Sequence, residues 1–424
     1  MRLSTLVTAC AGVGLAHAAL PQLHIKGSKF FDANGNQFYI KGVAYQLQPE
    51  DPLIDTAQCQ RDASLMKELG ANTIRVYHVD PNGDHDGCMS AFEDAGIYVF
   101  LDLDTFDTQI EQLDPHWNQT QLDAFSKVLD AFHGYDNLAG VFVGNEVLTT
   151  GEGSAAAPYV KAAARDIKAY RDSKNYRAIP VGYSAADIAS LRPMLQNYLA
   201  CGSNASETID YYALNAYEWC GDSSYTVSGY SQLTQNVTDY DIPIFFSETG
   251  CNTVPPRTFT DQAAIFGSEM NPYWSGAIIY EWIEEQNNYG LVSYGPRTDP
   301  TASGAPPDGF TRSGTPLPVT PDFQNLQNQW KTLTPTGVKE SDYSPSLTPP
   351  PCPSYTSGVW EVNGNVPPPS VGQILDRSSI TAGFTTTSAS ASTTTSRGSG
   401  NPEREIKAGA VGLGLALAGA VAWL

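Results

Sequence analysis

Charge is what this 424-residue chain has least of: only 16 % of its residues are charged, against about 25 % in an ordinary globular domain. Basic residues are the scarcer kind, 24 Lys and Arg against 45 Asp and Glu, for a formal net charge of −21. A nucleic-acid binder needs a basic patch to displace counterions from phosphates, and docking on an anionic bilayer needs a polybasic segment. The balance argues against both partners and leaves a neutral one, such as a polysaccharide, open. No Cys-x-x-Cys occurs, and the His residues show no metal-ligand spacing, so no metal site is expected. No Gly-x-Gly-x-x-Gly follows the first candidate strand, and Gly-x-Ser-x-Gly is absent. A dinucleotide cradle and a serine nucleophile elbow therefore lack their motifs, and no cofactor is implied. Asp80, Asn82 and Asp84 begin like an EF-hand loop, but His85 and Ala91 stand where such a loop needs Gly and Glu, which leaves a structural loop.

Hydrophobic residues make up 41 %, enough for a sizeable core. At roughly 150 residues per domain the length suggests two or three domains, although one barrel can take about 250 or more. The 37 Gly, 29 Pro and 22 Tyr suggest many loops and many exposed rings. The ends carry their own signals. Residues 1–18 read as a secretory signal peptide: Arg2, an apolar run from Leu3 to Leu15, then Ala16-His17-Ala18 as a cleavage site. Small residues at 396–400, a polar spacer at 402–407 and the apolar tail Ala408–Leu424 form a GPI-attachment signal, favoured over a single membrane span. Residues 376–400 read as a Ser/Thr-rich, O-glycosylated stalk and 401–424 as the segment removed on anchoring. Secretion implies paired cysteines. Beyond Cys10 these are Cys59, Cys88, Cys201, Cys220, Cys251 and Cys352, and six cysteines allow 15 connectivities. Asn118, Asn204 and Asn236 head glycosylation sequons.

Between about residues 38 and 282, short apolar runs alternate with helical patterns. The candidate strands are 38–43, 72–77, 97–103, 140–144, 178–182, 211–215, 242–247 and 276–280, rich in Val, Ile, Phe and Tyr as strands buried on both faces are. Helical periodicity falls at 55–69, 122–132, 158–170 and 260–269. Eight strands alternating with helices predict a (β/α)8 TIM barrel, an α/β fold, over residues 19–325; a doubly wound open sheet is the alternative. An irregular C-terminal extension at 326–375 would pack on the barrel. Loops after successive barrel strands emerge side by side, so Cys59 can approach Cys88, and Cys220 can approach Cys251. Cys201 and Cys352 would remain as the third pair.

Barrel chemistry sits at the C-terminal ends of the strands. There the chain presents Tyr77, Asp102 and Asp104, Asn145-Glu146, Tyr217, Glu248 and Tyr280-Glu281-Trp282. Glu146 and Glu248 each end a strongly apolar strand, the fourth and the seventh. Partial burial raises a carboxyl pKa, which suits a general acid, while a hydrogen-bonded carboxylate stays ionised as a nucleophile. Two such carboxyls among aromatic rings are the apparatus of glycoside hydrolysis.

Asn-Glu after strand four and Glu after strand seven resemble the retaining glycoside hydrolases of the largest barrel clan. Several blocks narrow the likeness: Arg75-Val76-Tyr77, Asp84 to Met89, Gly144-Asn145-Glu146-Val147, Asn215 to Gly221, Phe246 to Cys251 and Asn288 to Val292. Together they resemble the fungal β-1,3-glucanosyltransferases, GPI-anchored wall-remodelling enzymes of glycoside hydrolase family 72. The resemblance implies Glu146 as acid/base, Glu248 as nucleophile, Asn145 on the sugar 2-hydroxyl, and Tyr77, Asp102, Tyr217 and Tyr280 lining the donor subsites. It implies the same three disulfides. With only Cys352 beyond Cys251, the chain is similar to the subgroup that lacks a Cys-rich carbohydrate-binding module. The expected activity cleaves an internal β-1,3-glucan bond and elongates another glucan. The expected protein is a monomer on the outer face of the plasma membrane and in the cell wall, with β-1,3-glucan as donor and acceptor. An endo-β-1,3-glucanase and a non-catalytic glucan-binding wall protein are the alternatives.

Overall fold

The structure, a computed structural model, describes residues 20–381. The signal-peptide residues 1–18, most of the Ser/Thr-rich stretch and the attachment signal lie outside the described residues.

A hairpin, β1 (His24–Lys26) and β2 (Lys29–Phe31), precedes eight barrel strands: β3 (Ile40–Ala44), β4 (Thr73–Val76), β5 (Tyr98–Asp102), β6 (Leu138–Asn145), β7 (Val181–Ala186), β8 (Tyr211–Asn215), β9 (Ile244–Thr249) and β10 (Trp274–Ile279). All eight pair in parallel, and β10 closes on β3, so the sheet is a closed barrel and not an open one. Helices α1 (Thr56–Leu69), α2 (Asp86–Ala95), α3 (Gln119–Phe132), α4 (Ala157–Ser173), α5 (Arg192–Ala200), α6 (Tyr230–Gln235) and α7 (Asp261–Ile265) fill the crossovers, followed by α8 (Asp322–Thr332) and the short α9 (Arg377–Ile380). A short ribbon, β11 (Val292–Ser293) with β12 (Leu317–Pro318), lies between β10 and α8.

Local chemistry accounts for the boundaries. The Asp55 side chain caps α1 by accepting from Gln58 N, and Gly70, at φ 97°, ends it in the left-handed region where a Cβ is costly. Asn118 and Gln121 form a capping box at α3. The strand expected at 178–182 begins only at Val181, because Pro180 has no N–H for the ladder. The helix expected over 260–269 stops at Ile265, and turns through Gly267 and Met270 carry the chain into β10. The expected boundary at residue 325 falls inside α8, whose Phe323, Leu326 and Trp330 form one buried stripe.

Phe30 of the hairpin plugs the N-terminal end of the barrel, its ring 5.8–6.1 Å from Phe100, Tyr211 and Phe245. Those rings fit because a neighbouring strand carries glycine: a Cβ on Gly182 of β7, the register partner of Tyr211 in β8, would lie 2.3 Å from the Tyr211 ring. The tyrosines are mostly not the exposed rings that composition suggested; Tyr45, Tyr159, Tyr183, Tyr198, Tyr211, Tyr212 and Tyr230 are fully buried. Disulfides join Cys59 to Cys88 and Cys220 to Cys251 at the C-terminal end, while Cys201–Cys352 ties the segment beyond α8 to the end of α5. Of the stretch read as stalk, residues 376–381 are described: Asp376 caps α9, and Ile380 is buried. No described helix is long and apolar enough to cross a membrane.

Candidate active site

Strict alternation along β9 would send Ser247 and Glu248 to opposite faces. The register shows why it does not: Leu214 of β8 pairs with Phe246 and Asn215 with Glu248, so β9 carries one extra residue. This bulge lets both side chains reach the mouth. Ser247 Oγ donates to Asn215 Oδ1 at 2.8 Å, and Glu248 Oε1 accepts from Tyr77 OH at 2.9 Å. The same device recurs at β6. Its register against β7 slips between Phe142 and Asn145, and Glu146 then takes φ 50°, a left-handed conformation that a non-glycine residue rarely holds. Asn145 and Glu146 thereby both meet Asn215, whose Nδ2 donates to Asn145 Oδ1 at 3.1 Å and to Glu146 Oε1 at 2.9 Å.

Beneath them lies Arg75, fully buried, a residue the sequence presented only as part of a motif. It forms a bidentate pair with Asp102 (Nε–Oδ1 3.1 Å, Nη2–Oδ2 2.7 Å). It also donates to Asn145 Oδ1 at 2.9 Å, to Ser184 Oγ at 3.1 Å and to Glu248 Oε1 at 3.4 Å. A charged residue inside the apolar strand Thr73–Val76 was the available signal, since a buried guanidinium needs partners. Asp102 was expected in a subsite wall. It is 2 % exposed, with both oxygens engaged by the fully buried Arg75. Asp104 is buried as well. Desolvation and the neighbouring Asp102 push its carboxyl up to about 7, and its Oδ1 has no hydrogen-bond partner.

Glu248 is held on both oxygens, with Tyr217 OH donating to Oε2 at 2.8 Å. Burial pushes its carboxyl up to about 7; Arg75 opposes that shift and Glu146 adds to it, while the two tyrosine hydroxyls pull it down. Burial thus falls on Glu248, while Glu146 is exposed, the reverse of the arrangement expected for a buried acid. The left-handed turn at Glu146 lifts that side chain to the rim. Tyr217, Tyr280 and Tyr289 form an edge-to-face trio with centroids 5.4–6.4 Å apart, beside Glu248. Such rings offer flat faces for the C–H sides of sugars. Gln46, which the sequence did not single out, donates to Tyr280 OH at 2.9 Å. The three sequon asparagines lie elsewhere. Asn118 caps α3, Asn204 is exposed in the loop after α5, and Asn236 ends α6. Among the described residues no cluster of His, Cys, Asp and Glu is arranged to hold a metal ion.

Residues 13–302 match the family model described as glucanosyltransferase, glycoside hydrolase family 72. The 1,3-beta-glucanosyltransferase GAS2 of Saccharomyces cerevisiae is 39 % identical over 376 residues, covering 84 % of this chain and 64 % of that protein. The gas2 protein of Schizosaccharomyces pombe is 42 % identical over 369 residues, covering 83 % and 76 %. Among solved structures, a Glu-to-Gln mutant of Saccharomyces cerevisiae Gas2p in complex with laminaritetraose and laminaripentaose aligns with a TM-score of 0.72 at 41 % identity, covering 82 % of this chain and 74 % of that one. The chain spans less than two thirds of the length of some relatives, 62 % for pH-responsive protein 2 of Candida albicans. The closed barrel, the two mouth carboxyls and these matches place the chain in the glucanosyltransferase family, glycoside hydrolase family 72.

Proposed function

We propose that the chain is a retaining β-1,3-glucan transglycosylase, with Glu248 as nucleophile and Glu146 as acid/base. The observation that carries this is the asymmetry of the two carboxyls. Glu248 is buried and clamped by Tyr77, Tyr217 and Arg75, while Glu146 is exposed at the rim and steadied by Asn215. A clamped carboxylate is aimed for attack, and an exposed one can exchange protons with a leaving group and then an acceptor.

Glu248 attacks the anomeric carbon of an internal β-1,3 linkage. Glu146 protonates the departing glycosidic oxygen, and a covalent glucosyl-enzyme forms. The fragment carrying the reducing end leaves. Glu146 then takes the proton of the incoming 3-hydroxyl at the non-reducing end of a second glucan, which displaces Glu248 and restores the β configuration. Arg75 keeps Glu248 and Asn145 in register and balances charge as Glu248 cycles between anion and ester. Asn145, beside Glu146, is placed for the sugar 2-hydroxyl, and Tyr77, Tyr217 and Tyr280 form the donor wall. The laminari-oligosaccharides held by the Saccharomyces Gas2p structure support β-1,3-glucan as the substrate class.

Residues 1–18 act as a signal peptide and 401–424 as a GPI signal in this reading, with the anchor attached within 396–400. The enzyme then stands as a monomer on the outer face of the plasma membrane, in contact with wall glucan. Three disulfides suit that oxidising setting. Incubation with a borohydride-reduced laminari-oligosaccharide, followed by sizing, tests the activity. Products longer than the substrate support transfer, shorter products alone mean an endoglucanase, and an unchanged substrate means a binding protein.

A further inference from the structure

We propose that Glu281 is a positioning residue that acts through Gln46 to hold Tyr280, and with it the donor wall, in place. Naming that wall the donor side rests on the transglycosylase reading; the hydrogen-bond chain does not. Glu281 is the second residue beyond β10, next to Tyr280, and is 0 % exposed. Its Oε2 accepts from Gln46 Nε2 at 3.1 Å and its Oε1 from Asn287 Nδ2 at 2.7 Å. The same Gln46 nitrogen donates to Tyr280 OH. Gln46 lies just beyond β3 and Glu281 just beyond β10, so the contact bridges the seam where the barrel closes. The Glu281 backbone pins the following loop as well, its N–H donating to Tyr289 O at 3.1 Å and its carbonyl accepting from Leu291 N at 3.0 Å. One buried carboxyl thus reaches two of the three rings around Glu248: Tyr280 through Gln46, and Tyr289 through Asn287, whose Oδ1 accepts from Tyr289 N at 3.1 Å.

The surroundings say in which form it works. The carboxyls bearing on Glu281 are Glu285 and Glu248. The nearby cations are spent elsewhere: Arg312 on Glu285, and Arg257 on Asp322 and the carbonyls of Tyr280 and Gly290. Glu284 accepts from Gly290 N, and Asp62 behind the wall accepts from Tyr45, Tyr294 and Gln58. Only neutral amides donate to Glu281. Burial, with Glu285 adding to it, pushes its carboxyl up to about 8, so Glu281 is neutral at mildly acidic pH. A neutral acid with amide partners is one that glutamine can replace, because the Gln46 amide can turn over to offer its oxygen.

A double-mutant cycle tests this. Glu281→Ala, Gln46→Ala, the double variant and Glu281→Gln are assayed at pH 5.5 on a reduced laminari-oligosaccharide, with kcat, KM and thermal midpoint measured for each. Laminaripentaose Kd is measured by calorimetry on the same set, so the ratios are obtained even if the wild type does not turn over, an outcome that would refute only the transglycosylase reading. Glu281→Ala and Gln46→Ala are each expected to raise KM and Kd about 10-fold with little change in kcat, since a misplaced wall weakens binding throughout. The double variant should be within about 2-fold of either single one, and Glu281→Gln within about 2-fold of wild type. Independent, multiplying effects overturn the proposal. So does a Glu281→Gln variant as impaired as Gln46→Ala, a comparison that holds even if Glu281→Ala does not fold.

Discussion

Replacing Tyr217 by Phe removes one hydroxyl and leaves the ring. That hydroxyl donates to Glu248 Oε2 at 2.8 Å and stabilises the ionised carboxyl. A hydrogen bond to a charged group contributes about 1.5–3 kcal/mol, and about 1.4 kcal/mol corresponds to one pH unit. Glu248, already pushed up to about 7 by burial, should therefore rise by about one unit or more in the variant. Nucleophilic attack needs the carboxylate, so kcat/KM climbs as pH rises through this value, and the profile of kcat/KM reports the free enzyme. The acid limb of Tyr217→Phe should move to higher pH by about one unit, with a loss of about 10-fold at pH values on that limb and a smaller loss above it. The assay is initial-rate cleavage of a reduced laminari-oligosaccharide from pH 4 to 9. A uniform drop at every pH, with the limb unmoved, would refute the reasoning and leave Tyr217 as a stacking ring alone.

Removing the carboxylate with Asp102→Ala leaves Arg75 buried and without its bidentate partner, and should destabilise the protein by about 3–5 kcal/mol in chemical denaturation; a loss under about 1 kcal/mol would show that the pair does not hold the floor of the site. Stability should also fall with rising pH. Glu281, Glu248, Asp104 and Asp261 are raised to about 8, 7, 7 and 6 in the folded chain, above their unfolded values, so the folded state binds more protons between about pH 4 and 8. Scanning calorimetry at pH 5 and pH 8 should give the higher midpoint at pH 5, with Asp104→Asn narrowing the difference; a midpoint that climbs with pH would contradict this.

The barrel was legible because its strands are buried on both faces and carry unbroken apolar runs that end in polar residues. Glu146 and Glu248 were legible for the same reason, a carboxylate closing each run. Alternation could not show that Asn145 and Glu146 share the mouth, because a register slip and a left-handed residue undo it. Arg75 was hidden by distance in sequence, its partners lying on β5, β6, β7, β8 and β9. The burial of Asp102 was hidden for the same reason: its partner 27 residues away takes both its oxygens. The contact between Gln46 and Glu281 joins the loops after the first and last barrel strands, 235 residues apart, and no local pattern marks such a closure.

The central claim is that Glu248 forms a bond to sugar. An activated 2-deoxy-2-fluoro laminari-oligosaccharide slows breakdown of a glycosyl-enzyme and lets it accumulate. Mass spectrometry of the intact protein, followed by peptide mapping, should show one added glycosyl group, on Glu248, and none in Glu248→Gln. An adduct on Glu146, or a wild-type enzyme that cleaves glucan with no adduct on either residue, would contradict the account.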